Sequence, residues 1–127
     1  MRILLALFAT LLLAAPALAE RDFRIGAERF SEAEILDARG LPSVGGEPVI
    51  LVTLAQQAWP RLQKLTAEFL GKPLPVSVDG RPLATPVVRD AIADGVFEIS
   101  GLASLPESEA LAKLISGKPP LPDSLEE

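Results

Sequence analysis

The chain of 127 residues contains no cysteine, no histidine and no tyrosine. Without histidine and cysteine, the Ser-His-Asp and Cys-His nucleophile systems cannot form, and the usual nitrogen and sulfur ligands of zinc are missing. A core without disulfides must be stable by packing alone. Carboxylate chemistry, a Ser-Lys pair or a carboxylate calcium site remain, but the alternating acidic spacing of a calcium loop is absent. Most hydrolase mechanisms are therefore excluded, and we expect neither a cofactor nor a metal.

The chain opens with a segment typical of a secretory signal. Arg2 supplies a positive start, and residues 3–15 form an apolar run with a single threonine. This run has the length of a signal h-region and is shorter than the roughly 20 apolar residues of a membrane-spanning helix. Small residues at Ala17 and Ala19 predict cleavage before Glu20, with an uncleaved anchor as the alternative. The mature protein is then expected in the periplasm, without a membrane span.

Charge and length predict one small acidic domain. Removing residues 1–19 from the 127 leaves 108 residues, enough for one compact domain. The loss of Arg2 leaves 11 basic against 17 acidic side chains, a net charge of −6, which argues against nucleic acid and anionic membrane surfaces as partners. We expect the domain over residues 20–117 and a proline-rich, acidic tail over residues 118–127. Such a tail cannot fill a core, so we expect it to be extended and solvated.

Periodicity and turn signals predict an α+β fold. The expected elements, in order, are a strand at Phe23 and Ile25, a capped turn at residues 31–34, a central strand at residues 49–54, an amphipathic helix at residues 57–70, a hairpin around Asp79-Gly80, a strand at residues 96–100, and a helix that starts at the capping box of Ser104 and Glu107. This order favours two main helices packed on one face of a largely antiparallel sheet, a ferredoxin-like sandwich.

The faces of the two helices are predicted from their 3.6-residue period. On the first helix, Trp59 lies in the apolar stripe and is expected to be a core residue; a ligand platform is the alternative. On the last helix, we expect Ala110, Leu111, Leu114 and Ile115 to be buried.

A set of short motifs in the second half of the chain resembles a known family. The positions concerned are Val78, Asp79, Gly80, Pro86, Ile92, Gly95, Ile99, Gly101, Glu109, Ala110 and Leu111. Their order and spacing resemble the head subdomain of the first periplasmic domain of SecD and SecDF. That family has a V-L-D-G hairpin, then S-x-P, a glycine turn, I-x-G, an E-A-x-x-L-A helix and a G-x-L-P exit. Residues 116–122 stand here where that exit lies, and residues 35–39 and 49–54 resemble the family's entry segment and first long strand.

The resemblance implies a SecD-type head fold and a role in handling protein. This sequence has none of the family's transmembrane helices or their membrane carboxylates, so we expect a detached, non-catalytic head. The resemblance implies a module whose relatives contact emerging, unfolded polypeptide during export. The favoured hypothesis is a periplasmic protein-interaction module that binds extended polypeptide, or a translocation or envelope component, through a sheet edge. The segment around Pro86 is predicted to be a protected edge, so the opposite edge is the better candidate.

Two other functions remain open. One is a small hydrolase that uses carboxylates among Asp79, Asp90, Asp94 and Glu98, although turn chemistry explains Asp79 and the solvent face of a strand explains Glu98. The other is a docking or inhibitory domain for one specific envelope protein. A general chain binder and a docking domain differ in their partners, because a docking domain has one dominant partner.

Overall fold

The computed structural model describes residues 21–122. The predicted cleavage site at Ala17, Ala19 and Glu20 lies outside these residues, as do the last five residues of the tail, and cleavage stays a prediction. The strands are β1 (Phe23–Ile25), β2 (Glu28–Phe30), β3 (Ile35–Pro42), β4 (Pro48–Leu54), β5 (Val76–Val78), β6 (Arg81–Ala84) and β7 (Val96–Ile99). The helices are α1 (Trp59–Glu68) and α2 (Leu105–Ser116), with one-turn 3₁₀ helices at Glu32–Glu34 and Gln56–Ala58.

The strands form two antiparallel sheets. One has the order β2-β1-β5-β6, and the other has the order β3-β4-β7. The α+β class, with two main helices and antiparallel strands, is confirmed. The expected single sheet is instead divided into two sheets. β1 pairs with β5 in the register Phe23 to Val78, with both side chains buried, so β5 belongs to the sheet of β1. The hairpin of β5 and β6 therefore joins the N-terminal strands and not β4 and β7.

The hairpin between β5 and β6 turns where the sequence predicts. Asp79 and Gly80 have φ values of 51° and 79°. Positive φ at both central residues is the requirement of a type I′ turn, whose twist matches that of the flanking strands. Pro82 follows in β6, an edge strand, where its missing N–H costs no ladder bond.

A single hydrophobic core joins both sheets and both helices. On α1 the buried residues are Leu62, Leu65 and Thr66, while Trp59 is half-buried against the core. The Trp59 indole Nε1 donates to the Leu54 carbonyl at 2.9 Å. This contact supports the prediction of a packing residue. In the described range 21–122, neither helix is long and apolar enough to cross a membrane.

The buried face of α2 differs from the predicted one. It consists of Ser108, Leu111, Ala112, Ile115 and Ser116. Ala110, which was expected to be buried, is exposed, because it lies about 200° around the helix from Ser108. Two serines can take core positions since each hydroxyl has a local acceptor: Ser108 donates to the Leu105 carbonyl and Ser116 to the Lys118 carbonyl.

Candidate functional site

Two sheets have four edges, and the edge at β2 is closed by an arginine of α1. The Arg61 guanidinium donates to the Arg29 carbonyl at 2.8 Å and to Glu34 Oε2 at 2.9 Å. It also lies 4.4 Å from the centre of the Phe30 ring. Because the Arg29 carbonyl is already bonded and β2 has three residues, this edge offers little to a second chain.

The edge at β6 is short and carries a proline. β6 has four residues, and its register with β5 shifts between Val76 and Ser77. Pro82 has no N–H to donate to an added strand. A short, irregular, proline-bearing strand is a protected edge.

The edge at β7 faces an irregular segment across a groove, which we call the β7 groove. The groove has a volume of about 270 Å³ and lies between residues 86–92 and the outer side of β7. The Val96 N–H is capped by Asp94 Oδ1 at 3.1 Å. The sequence predicts a protected edge strand around Pro86, but Pro86 lies in this flanking segment, outside the strands of both sheets. The opposite edge of the β7 sheet is β3.

The edge at β3 is long, and its pairing with β4 is regular from Asp37 to Pro42, after a register shift between Ile35 and Asp37. β3 has eight residues and pairs on one side with β4. The backbone hydrogen bonds from Ser43 N to Glu47 O and from Leu54 N to Gly95 O each mark a hydrogen-bonded residue pair, one on each side of β4. Hydrogen-bonded and non-hydrogen-bonded pairs alternate along an antiparallel ladder, so these two bonds determine which backbone groups of each strand point towards its partner. Ala38 and Gly40 are then the β3 residues whose N–H and C=O groups point away from β4. Of these outward groups, those of Gly40 are partly exposed and can pair with an added strand, whereas Ala38 is fully buried.

A groove lies beside this edge. We call it the β3 groove; its lining residues are Gly40, Pro106, Glu109, Ala110, Lys113 and Pro120, and its volume is about 430 Å³. Gly40 lets the α2 backbone approach the strand, since a Cβ there would lie 2.5 Å from Glu109 N and 2.6 Å from Ser108 C. The close contact of helix and strand places the exposed Ala110 next to the outer side of β3.

The residues after α2 form the far wall of the β3 groove. We call residues 118–122 the exit segment. Leu121 N donates to Asp37 Oδ1 and Arg39 Nη2 donates to the Leu121 carbonyl, both at 2.8 Å. The sequence predicts an extended, solvated tail; the exit segment is exposed, and it is also hydrogen-bonded to side chains of β3.

The structure separates the predicted motif residues into three places. Val78, Asp79 and Gly80 form the hairpin of the four-stranded sheet, Pro86 and Ile92 line the β7 groove, and Glu109 and Ala110 line the β3 groove. Three further positions serve the fold: Ile99 and Leu111 are core residues, and Gly95 turns the chain against the Trp59 indole. Gly101 has a φ of 83° between β7 and α2.

Two residues of the site were not singled out from the sequence. They are Gly40 and Arg61, whereas Asp37 and Arg39 were noted only as part of residues 35–39, which resemble the family's entry segment. Gly40 carried a usable signal, because a glycine inside a strand often marks a close approach of another backbone. Asp37, Arg39 and Arg61 act through contacts with segments distant in the chain, so no local pattern assigns them a role.

The carboxylates considered for hydrolysis do not form one centre. Asp79 Oδ1 accepts from the Asp22 N–H at 2.9 Å, and Asp94 caps Val96, so each has a local structural role. Asp90 and Glu98 lie on the β7 groove. Among residues 21–122, no three acidic side chains lie together in a way that could hold a metal ion.

Comparison with known proteins gives a family match over most of the chain. The model of the SecDF P1 head subdomain matches residues 14–119. Protein translocase subunit SecDF of Thermus thermophilus is 31% identical over 99 residues, which cover 77% of this chain and 14% of that protein. Protein translocase subunit SecD of Acidaminococcus fermentans is 28% identical over 89 residues, covering 69% of this chain and 21% of that protein. The chain thus spans a seventh to a fifth of the length of these relatives.

Solved structures give the same result for the fold. A crystal structure of SecDF in a super-membrane-facing form matches with a TM-score of 0.63 at 29% identity, over 71% of this chain and 12% of that one. A second structure, described as a membrane component SecDF that enhances protein export, matches with a TM-score of 0.62, also at 29% identity, over 71% of this chain and 41% of that one.

Proposed function

The chain belongs to the family of the SecDF P1 head subdomain, and on this premise we propose that it is a non-catalytic, periplasmic protein-interaction module that binds extended or unfolded polypeptide in protein export. Its relatives are translocase subunits, and one is described as a component that enhances protein export. The observation that carries the proposal is the outward edge of β3 beside the β3 groove.

An extended chain can join this edge through main-chain bonds. Gly40 is a partly exposed residue whose N–H and C=O point away from β4, so an added strand can bond to both groups. Main-chain recognition does not depend on the side chains of the bound polypeptide. A component that handles many exported proteins must bind polypeptides of different sequences.

The charge of the β3 groove supports broad recognition. Glu109 and Lys113 lie four residues apart on α2, a spacing that places opposite charges next to each other. Their charges cancel locally although the whole chain has a net charge of −5. A groove without net charge repels neither acidic nor basic polypeptide.

The size of the edge predicts weak binding. Gly40 supplies two accessible outward backbone groups, and each net hydrogen bond contributes only about 0.5–1.5 kcal/mol. Ordering of the bound chain and lost translational freedom oppose this gain. We therefore expect a dissociation constant of about micromolar or weaker, consistent with transient contact.

The test is a titration of one exported protein in labelled unfolded and folded forms, with fluorescence anisotropy as the readout. We expect preference for the unfolded form. Ala110→Arg fills the β3 groove from an exposed helix position, and should weaken binding about tenfold or more. Val87→Arg is the matched control, because Val87 is 56% exposed and lies on the β7 groove.

Each outcome decides between named alternatives. If Ala110→Arg and Val87→Arg weaken binding equally, the assignment of the site to β3 is wrong. If Val87→Arg alone weakens binding, the site lies at β7. Equal binding of folded and unfolded forms, or tight binding of one folded protein alone, would overturn chain capture in favour of a docking domain.

A further inference from the structure

We propose that Asp37 and Arg39 form a binding site for the backbone of an extended, proline-flanked segment, and that the exit segment occupies this site within the same chain. The inference goes beyond strand addition at β3, because it concerns two side chains and not the outward backbone groups of Ala38 and Gly40. Its ligand class is a polyproline II segment with one free N–H.

The two side chains together satisfy both backbone groups of a single residue. Asp37 Oδ1 accepts from Leu121 N, and Arg39 Nη2 donates to the Leu121 carbonyl, each at 2.8 Å. Arg39 Nε also donates to Asp37 Oδ2 at 2.8 Å. That internal bond fixes the two groups relative to each other, so donor and acceptor are arranged before the segment binds.

The buried Asp37 carboxylate is stabilised when the exit segment is bound. Asp37 is only 7% exposed, and a buried carboxylate needs hydrogen-bond donors to compensate for lost water. Arg39 supplies one donor and Leu121 supplies another. Departure of the exit segment removes one of these two bonds and leaves water to replace it.

The sequence of the exit segment matches a site that reads one N–H. Residues 119–122 are Pro-Pro-Leu-Pro, so Leu121 has the single backbone N–H in this stretch. That N–H is the one bound by Asp37. Prolines on both sides favour the extended polyproline II conformation and lower the entropy lost on binding. The Leu121 side chain is 41% exposed, so the backbone dominates recognition.

The path from α2 to the site is held by further bonds. Ser116 Oγ donates to the Lys118 carbonyl at 2.7 Å, and Lys118 Nζ donates to the Ile35 carbonyl at 3.5 Å. Gly117 ends α2 in the left-handed conformation, with its N–H bonded to the Lys113 carbonyl. The chain therefore leaves α2 already directed towards β3.

The test uses the full chain with two substitutions at one position. Leu121→Pro removes the single N–H, whereas Leu121→Ala keeps it, and both change an exposed side chain. We expect Leu121→Pro to free the site and Leu121→Ala to leave it occupied. The probe is a synthetic peptide of sequence GKPPLPD with blocked ends, titrated to several millimolar against ¹⁵N-labelled protein, with the amide shifts of Asp37 to Gly40 as the readout.

Two hydrogen bonds to charged groups imply millimolar affinity for a free peptide. The peptide should shift the β3 amides of the Leu121→Pro protein and should bind wild type and Leu121→Ala at least tenfold more weakly. A control peptide, GKPPPPD, should shift none of them. Absence of binding to Leu121→Pro, or equal binding of the two peptides, would overturn the inference.

Hydrogen exchange supplies a second measurement that needs no peptide. The amide of Leu121 in wild type should exchange about tenfold or more slowly than in an unstructured chain, and Arg39→Ala should reduce this protection. Exchange at the unstructured rate in wild type would also overturn the inference. Neither measurement uses an unfolded protein or the β3 groove variant, so its failure is separate from failure of the proposed function.

Discussion

Replacing Gly40 with alanine should destabilise the domain, although alanine is usually the better residue in a folded chain. A Cβ at position 40 would lie 2.5 Å from both Glu109 N and Ser108 Oγ, whereas ordinary contacts begin at 3.4 Å. Because Glu109 N is a backbone atom, α2 must move by about 0.9 Å relative to β3. Overpacking of this kind costs about 1–3 kcal/mol, and reduced entropy of the unfolded chain returns about 0.4–1 kcal/mol. The net loss should be about 1–2 kcal/mol.

Urea denaturation followed by circular dichroism measures this loss. With a slope of about 1–3 kcal/mol per molar urea, the midpoint of Gly40→Ala should fall by roughly 0.3–2 M. Gly45→Ala is the matched control: nothing lies within 4 Å of its added Cβ, and its φ is not left-handed. That control should be neutral or slightly more stable. If Gly40→Ala unfolds at the same urea concentration as Gly45→Ala, the close approach of α2 to β3 is refuted.

Four further outcomes test other parts of the molecule. Gly80→Val should destabilise the fold by about 1 kcal/mol or more, because valine is strained at a φ of 79°; an unchanged melting temperature would contradict the tight turn. Ser104→Ala should cost about 1 kcal/mol in urea denaturation, since Ser104 Oγ accepts from the Glu107 N–H at 3.2 Å. Arg61→Lys should lower the melting temperature because lysine cannot serve both acceptors of the guanidinium; equal melting would show that these contacts contribute nothing. Intact mass of periplasmic extract should show a chain that begins at Glu20; retention of the leader in the membrane fraction would contradict cleavage.

Local features of this fold were predictable because neighbouring residues determine them. Asp79-Gly80 needs only two residues and their alternating flanks to specify a turn, and the structure has that turn. Ser104 caps α2 through a bond spanning three residues. The capped turn at residues 31–34 is also present, with the Ser31 N–H bonded to Glu34 Oε1.

Pairing over long distances was not predictable from the same patterns. β1 pairs with β5 across more than fifty residues, and nothing in the alternation of Phe23 and Ile25 specifies that partner. The burial of Ser108 in place of Ala110 has a similar cause. A serine reads as polar in a periodicity analysis, whereas its bond to the Leu105 carbonyl makes it acceptable in the core.

The candidate site was predictable only in outline. The sequence favours the edge opposite a proline-bearing strand at Pro86, but Pro86 lies outside the strands of both sheets, so the choice of β3 rests on the structure. The bonds from Asp37 and Arg39 to Leu121 join residues 84 and 82 positions apart, and the residues concerned are ordinary surface types. Composition alone therefore predicts a solvated tail after α2, because the composition of a segment does not specify its contacts with residues distant in the chain.

The bonds that hold Leu121 also set an effective concentration. The residue is joined to Ser116, the last residue of α2, by five peptide links, and short tethers of this kind give a local concentration of about millimolar or higher. The site itself should bind such a segment with about millimolar strength. The roughly tenfold slower exchange and tenfold weaker peptide binding expected above require the local concentration to exceed the dissociation constant about tenfold, so the tethered segment is bound for most of the time. A free segment of the same class competes with it only when its own concentration reaches that local concentration, or when it is tethered nearby by another contact with the domain.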